Sequence, residues 1–312
     1  MAQNKNRLTI SFEFFPPKTP EMEATLWRSI EHLAPLDPAF VSVTYGADGS
    51  TRDRTHNIVT RILRETHLTP AAHLTCVGAT RDEIDAIAKR YWDAGVRHLV
   101  ALRGDPPQGA GRYEPYAGGY PYAAELVEGL RRVGEFDISV AAYPEVHPDA
   151  PSPQFDLVNL KRKVVAGAKR AITQFFFDID RYLRFRDRCA AAAIGVEIVP
   201  GLLPVTNFAR TLTFAGACGA SVPGWLAERF EGLDDDPTTR QLIAASTAIE
   251  QVVVALHVLR PVAEALAAAV RLRQTECLDL GAHRAVEHDD ALVEELAQGA
   301  RAWVLHDSFF PS

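Results

Sequence analysis

The sequence predicts an α/β chain folded as a (β/α)8 barrel. Seven strand-like runs rich in Val, Ile, Leu or Phe recur along 312 residues, and most end in Gly, Pro or Asp. Segments with helical periodicity lie between them. The chain carries no G-x-G-x-x-G turn and no G-x-x-x-x-G-K-[ST] loop, one of which an open nucleotide-binding sheet usually advertises. Seven or eight β-then-α units in about 300 residues favour a closed barrel over a doubly wound sheet.

The first run, LTISFEFF (8–15), places Glu13 among phenylalanines and is stopped by Pro16 and Pro17. Strand alternation puts Ser11, Glu13 and Phe15 on one face, with Phe12 and Phe14 on the other. EMEATLWRSIEHLA (21–34) has the period of a helix. The strand-like AFVSVTYG (39–46) and AAHLTCVG (71–78) follow. In TRDEIDAIAKRYWDAG (80–95), Thr80 suits an N-cap and Gly95 a C-terminal stop. HLVALRGD (98–105) and DISVAAYPE (137–145) are the next strands, and DLVNLKRKVVAGA (156–168) the next helix. RAITQFFFD (170–178) and GVEIVPGLLP (195–204) complete the seven. Asp234, Asp235 and Asp236 suit the start of a further helix, where carboxylates are favoured. Beyond about residue 250 an Ala-rich helical pattern is interrupted by Pro261, and WVLHDSF (303–309) is the candidate eighth strand.

Composition narrows the function. The net charge of −7 and pI near 5.8, without a basic run, exclude a general nucleic-acid binder. Cys76, Cys189, Cys218 and Cys277 form no C-x-x-C pair, so buried reduced thiols are expected rather than a disulfide framework or a metal site. The N-terminal MAQNKNRLTI has no apolar signal core, and no uncharged apolar run reaches about 18 residues. A soluble cytoplasmic protein without a membrane partner is expected.

A barrel gathers its chemistry at the C-terminal ends of its strands. The polar residues there are Glu13, Thr44, His73, Asp105, Glu145 with His147, and Gln174, drawn from six strand units. A charged side chain in an apolar layer is costly unless it is paired or solvated. Glu13 is therefore either paired with a cation or kept for chemistry. Desolvation alone would raise its pKa, which suits a proton donor near neutrality. Asp105 precedes two prolines and equally suits a turn. Gln174 both donates and accepts, in a site or in a satisfied core. His73 alone reads as a core histidine, and His147 as a loop residue.

Taken together, SFEFFPPKT, VSVTYGADGSTRDRT, AHLTCVG, ALRGDPP, AAYPEVHP, NLKRKVVAGAKRAITQFFFD and VEIVPGLLPVTNF resemble the methylenetetrahydrofolate reductases of the bacterial, catalytic-domain-only type. The motifs occur in order from about residue 8 to about residue 250. The resemblance implies FAD at the C-terminal face of the barrel and a ping-pong hydride transfer. NADH or NADPH would reduce the flavin, which would reduce 5,10-methylenetetrahydrofolate to 5-methyltetrahydrofolate. It implies a homo-oligomer, dimer or tetramer. It makes Glu13 the general acid that opens the folate's five-membered ring. It makes Asp105 a catalytic carboxylate beside the flavin and pterin, where a negative charge biases the flavin's potential. Gln174 would bind the pterin edge, and Phe214 would stack on the nicotinamide or the aminobenzoyl ring.

The FAD contacts carried over are Thr44, His73, Leu102, Arg103, Gly104, Asp105, Tyr143, His147, Asp156 and Lys163. Arg103 and Lys163 suit a pyrophosphate by charge, and Gly104 a close backbone approach. Tyr143 equally reads as core packing, and Arg52 and Arg54 as a solvated turn.

The family's usual closing strand, of the kind FHFYTLNR, has no counterpart after residue 250. Residues 1–312 read as one FAD-binding barrel domain, with about 251–312 a divergent closure, an oligomerisation segment or an out-of-frame end. The alternative function is a flavin- or folate-binding barrel with little or no turnover. A proline-dehydrogenase-like barrel is disfavoured by FEFFPP and LRGDPP.

Overall fold

A computed structural model of the chain describes residues 9–46, 52–106 and 112–259, with side chains to Val253 in the last helix. Seven strands form one sheet: β1 (Ser11–Phe14), β2 (Phe40–Val43), β3 (Pro70–Thr75), β4 (His98–Leu102), β5 (Asp137–Ala142), β6 (Arg170–Thr173) and β7 (Glu197–Val199). Neighbours pair in chain order and every pairing is parallel. A doubly wound sheet would reverse its order partway; this one never does. The helices α1 (Pro20–Leu33), α2 (Arg52–Glu65), α3 (Arg81–Asp93), α4 (Ala123–Val133), α5 (Pro153–Ala166) and α6 (Ile179–Ala191) alternate with the strands. The helices α7 (Phe208–Cys218), α8 (Gly224–Phe230) and α9 (Pro237–Leu259) follow β7. This is the architecture of a (β/α)8 barrel, as the spacing of the runs predicts. The candidate eighth strand at 303–309, Cys277, and the closure or oligomerisation segment beyond Leu259 lie outside the described residues.

Strand alternation divides the core in two. Phe14, Val41, Val43, Ala72, Leu74, Leu99, Ile138 and Val140 point outward and pack against Leu26, Ile30, Ile62, Ile84, Leu126 and Leu130 of the helices. Each of these side chains except that of Ala72 contributes about 1.5–3 kcal/mol by leaving water. Phe40, Ala71 and Val100 point inward with Leu102 and Ile172. The remaining interior positions are largely polar, and they carry the site.

Helix caps fix the loops that leave the strand ends. Thr19 accepts from Met22 N ahead of Pro20. Thr80 and Glu83 form a reciprocal capping box, and Ser152 accepts from Phe155 N. Asp236 accepts from both the N and Oγ1 of Thr239 at the start of α9, which gives the acidic run its structural role. Gly95 ends α3 at φ +93°, a conformation that favours glycine.

The strands stop earlier than the apolar runs suggest. β4 ends at Leu102 and β6 at Thr173, so Arg103, Gly104, Asp105 and Gln174 lie just beyond strand ends, on loops. No helix of the described residues is long and apolar enough to cross a membrane.

Candidate active site

Inside the mouth of the barrel, β1, β2 and β3 bring three polar side chains together around one carboxylate oxygen. Glu13 pairs in register with Ser42 across the β1–β2 ladder, and the Ser42 hydroxyl donates to Glu13 Oε2 at 3.2 Å. His73, one strand further on, places Nε2 3.1 Å from the same oxygen. The contact is at ion-pair distance, but the ring N–H is not aligned for a full hydrogen bond. The His73 side chain is 9% exposed and that of Glu13 35%. Glu13 is thus the member of the group that meets the open mouth.

Burial pushes the Glu13 carboxyl up, but the charge of His73 and the contacts from His73 and Ser42 outweigh it, so its pKa lies below the ordinary value. This corrects the expectation of a raised pKa. Desolvation is present as the apolar strand suggests, but two neighbours reverse its effect.

A second cluster occupies the ends of β4 and β5. Gly104 adopts φ +83°, which turns the chain out of β4. Arg103 folds back over the Tyr113 ring at 4.5 Å and pairs with Asp149 at 2.8 Å and Asp105 at 3.2 Å. Asp105 itself is 63% exposed, beyond the end of the strand. Tyr143 meets His147 edge to face at 4.7 Å. Burial pushes the Tyr143 hydroxyl up, so it stays protonated and can donate.

His147 Nδ1 accepts from Asp149 N at 3.0 Å. The ring proton is thereby assigned to Nε2. Burial, then the charge of Arg103, lowers the His147 pKa. Asp156 accepts from His147 N at 2.8 Å, and burial raises its pKa against that bond. Lys163 donates to the Ala141 carbonyl. Burial pushes its ammonium down to about 8, with Asp156 opposing.

The third part stands on β6 and α7. Gln174 Oε1 accepts from Phe175 N at 3.0 Å, which leaves the amide NH2 as the group with hydrogen-bonding capacity to offer. Phe214 of α7 stacks on Phe175 with ring centroids 5.3 Å apart. Thr44 continues the ladder by donating its N–H to Phe14 O at 2.8 Å, and Leu102 lines the interior. Glu145 is instead a structural carboxylate, accepting from Ser221 N at 2.8 Å.

Apart from His73, which lies within β3, every candidate residue is at or beyond a strand end, within α5, or on α7 against the β6 loop. They form three adjoining clusters rather than one. Ser42, Asp149 and Tyr113 escape sequence reasoning. Ser42 could have been found from alternation, since it is polar on the inward face of β2. Asp149 and Tyr113 give no local signal.

Cys76, Cys189 and Cys218 are free thiols, each held up to about 11 chiefly by burial. Among the described residues no group of three or more His, Cys, Asp or Glu is placed to hold a metal ion.

Comparison with known proteins gives the fold and the family. The solved structure of an uncharacterized protein from Clostridium thermocellum, reported to bind two copies of 5-methyl-5,6,7,8-tetrahydrofolic acid, superposes with a TM-score of 0.54 at 19% identity. The match covers 80% of this chain and 84% of that one, and it shows a shared fold. The 5,10-methylenetetrahydrofolate reductase of Escherichia coli (strain K12) is 56% identical over 252 residues, which is 81% of this chain and 83% of the relative. That of Buchnera aphidicola subsp. Acyrthosiphon pisum is 45% identical over 248 residues, covering 80% and 83%. Both relatives are enzymes. The family profile described as methylenetetrahydrofolate reductase matches residues 1–259, and on these similarities the chain belongs to the methylenetetrahydrofolate reductase family.

Proposed function

We propose that the protein reduces 5,10-methylenetetrahydrofolate to 5-methyltetrahydrofolate with NADH or NADPH, through a bound FAD that takes and then gives up a hydride in a ping-pong cycle. The observation that supports it best is the Glu13 carboxylate. It is held at the barrel mouth by Ser42 and His73, yet remains open enough to reach a ligand.

The donor set fits FAD by its chemistry. Arg103, Lys163 and the left-handed turn at Gly104 supply charge and backbone access for a diphosphate. Thr44, His73, Leu102, Tyr143, His147 and Asp156 supply polar and flat surfaces for the rings and ribose. Arg103 would have to loosen from Asp149 to reach a phosphate, and Lys163 from the Ala141 carbonyl. When bound, the flavin supplies two-electron hydride chemistry that no side chain can provide.

The chain's own residues then do the following. Glu13 delivers a proton to N10 of the folate. The N10–methylene bond breaks with its electron pair retained on N10, and the lone pair of N5 closes an iminium that can accept hydride. Asp105 accepts from the pterin's amino group and stabilises positive charge on the ring. The Gln174 amide NH2 donates to the pterin edge. Phe214, backed by Phe175, offers a stacking face.

The test is the visible spectrum of the purified protein under anaerobic conditions. Addition of NADH is expected to bleach a flavin spectrum, and addition of methylenetetrahydrofolate to restore it. A yellow protein that NADH cannot bleach would be a binder without turnover. Glu13→Gln should keep bleaching by NADH and slow the recolouring by about 10²–10⁴-fold. The same reading carries a homo-oligomer in the cytoplasm, which light scattering of the eluting holoenzyme checks as to size.

A further inference from the structure

Glu13 has a problem as an acid. Its own environment favours the anion, so the resting carboxylate has no proton to give near neutrality. The geometry around it suggests where one is stored. His73 Nε2 and the Ser42 hydroxyl both approach Oε2, at 3.1 and 3.2 Å. Among the described residues Oε1 receives no hydrogen bond and is left for a ligand. His73 sits deeper than Glu13, at 9% against 35% side-chain exposure. A proton on His73 therefore reaches the open mouth through Glu13. Among the described residues, the other ionisable side chains that open the neighbouring strands toward the barrel interior are His98 of β4, Asp137 of β5, Arg170 of β6 and Glu197 of β7. Arg170 ties these together rather than to Glu13.

We propose that Glu13, His73 and Ser42 form a proton-delivery unit in which His73 Nε2 holds the proton, Glu13 passes it to the folate nitrogen, and Ser42 fixes the carboxylate with Oε2 toward His73. This rests on the reductase reading above and deepens it. The step balances. The proton leaves His73 Nε2 for the carboxylate, and the carboxylate's proton goes to N10. The C–N10 bonding pair stays on N10, the N5 lone pair forms the iminium, and neutral His73 regains its proton from solvent. His73 and Ser42 are positioning residues here, because both act through Glu13.

The experiment follows the two half-reactions separately, by stopped flow on the holoenzyme across pH. In the wild type, recolouring by methylenetetrahydrofolate is expected to fall as pH rises, while bleaching by NADH has no such limb. His73→Asn should lower the recolouring rate about tenfold or more and erase that limb. Ser42→Ala, which keeps the imidazole, should lower the same rate by a few-fold.

A second readout needs neither flavin nor turnover. In ¹⁵N-histidine-labelled protein at pH 7, Glu13→Gln should change the His73 Nε2 resonance, because Nε2 lies 3.1 Å from the carboxylate oxygen that glutamine replaces. An unchanged His73 Nε2 resonance in Glu13→Gln, or a His73→Asn variant that keeps both the rate and the limb, overturns the proposal while the reductase reading stands. Absence of recolouring in the wild type overturns that reading instead.

Discussion

The barrel interior holds two polar clusters, one at each end, and they are built differently. At the N-terminal end, four strands begin with an ionisable residue: His98, Asp137, Arg170 and Glu197. Arg170 reaches Asp137 at 3.4 Å, Ser139 at 3.1 Å, and His98 at 3.4 Å. It also reaches Glu197 at 3.5 Å, and His98 meets the Ser139 hydroxyl at 2.8 Å. The Phe40 ring packs edge-on to His98 at 4.5 Å. Most of the polar atoms are paired, and the buried Asp137 Oδ1 has no hydrogen-bond partner among the described residues. At the mouth, the His73 N–H is misaligned, the buried Thr75 hydroxyl has no partner among the described residues, and Glu13 is a third exposed. Satisfied networks rigidify a fold, whereas incompletely satisfied ones are where a ligand or a proton has work to do. The barrel rule that stability resides at one face and chemistry at the other fits the Arg170-centred pairing at one end and the partly exposed Glu13 carboxylate at the other.

The largest expected effect separates the two ends by readout. Glu13→Gln should lose folate reduction by about 10²–10⁴-fold and leave the urea midpoint nearly where it was, because glutamine can still accept from Ser42. Arg170→Met should do the reverse. It strands Asp137 and Ser139 and should cost about 2 kcal/mol of stability, with the rate per bound flavin unchanged. Equal loss of stability in both variants would erase the distinction between the ends.

The next effect is in pH. His98 is 3% exposed. Its pKa is pushed from 6.5 to about 4, first by burial, with Asp137 opposing and Arg170 and His73 adding to the shift. A folded-state pKa below the unfolded one means that the unfolded chain takes up a proton the folded chain refuses. The contribution is complete above pH 6.5 and is lost as pH falls toward 4, to a total of about 3 kcal/mol at most. Glu13 behaves differently. Its lowered pKa keeps its contribution intact until pH falls below the ordinary carboxylate value of 4.5. His56 and His147 are lowered too, so the decisive quantity is a difference. Between pH 7 and pH 5, His98→Gln should lose less stability than the wild type. Parallel curves would mean that His98 is not held neutral by the fold.

The two ends are unequally legible in the sequence. FEFFPP, LRGDPP and ITQFFFD each set a polar residue against an apolar run at a strand end, and a parallel barrel turns that pattern into a rim. Glu13, Asp105 and Gln174 therefore stand out in the bare chain. The network at the other end does not. His98, Asp137, Arg170 and Glu197 open their strands and look like ordinary solvated entry residues. Only the register, with His98 beside Asp137 and Arg170 beside Glu197, brings them together. The direction of the Glu13 pKa is hidden for the same reason. Burial is readable from one strand, but His73 lies two strands away and Ser42 is matched to Glu13 by pairing. Helix ends are the easiest of all, because Thr80, Gly95 and Asp236 act within a few residues of themselves.

The smallest effect tests the comparison most directly, since it concerns one hydroxyl at each end. Ser139 is fully buried and bonded to His98 and Arg170. Thr75 is 1% exposed, and its hydroxyl has no partner among the described residues. Ser139→Ala removes an acceptor from Arg170 and the hydroxyl partner of His98 Nε2 and should cost about 1–3 kcal/mol. Thr75→Val keeps the shape, removes only an unpaired polar atom, and should change stability by less than about 0.5 kcal/mol, or raise it slightly. Thr75 faces the same interior as Glu13 and His73, so flavin or folate affinity in Thr75→Val, read by fluorescence titration, is the accompanying measurement. Unchanged stability with weakened binding would mean that the hydroxyl is kept for a ligand. A stability loss matching that of Ser139→Ala would mean that the mouth is as tightly satisfied as the opposite end, and the contrast between them would fail.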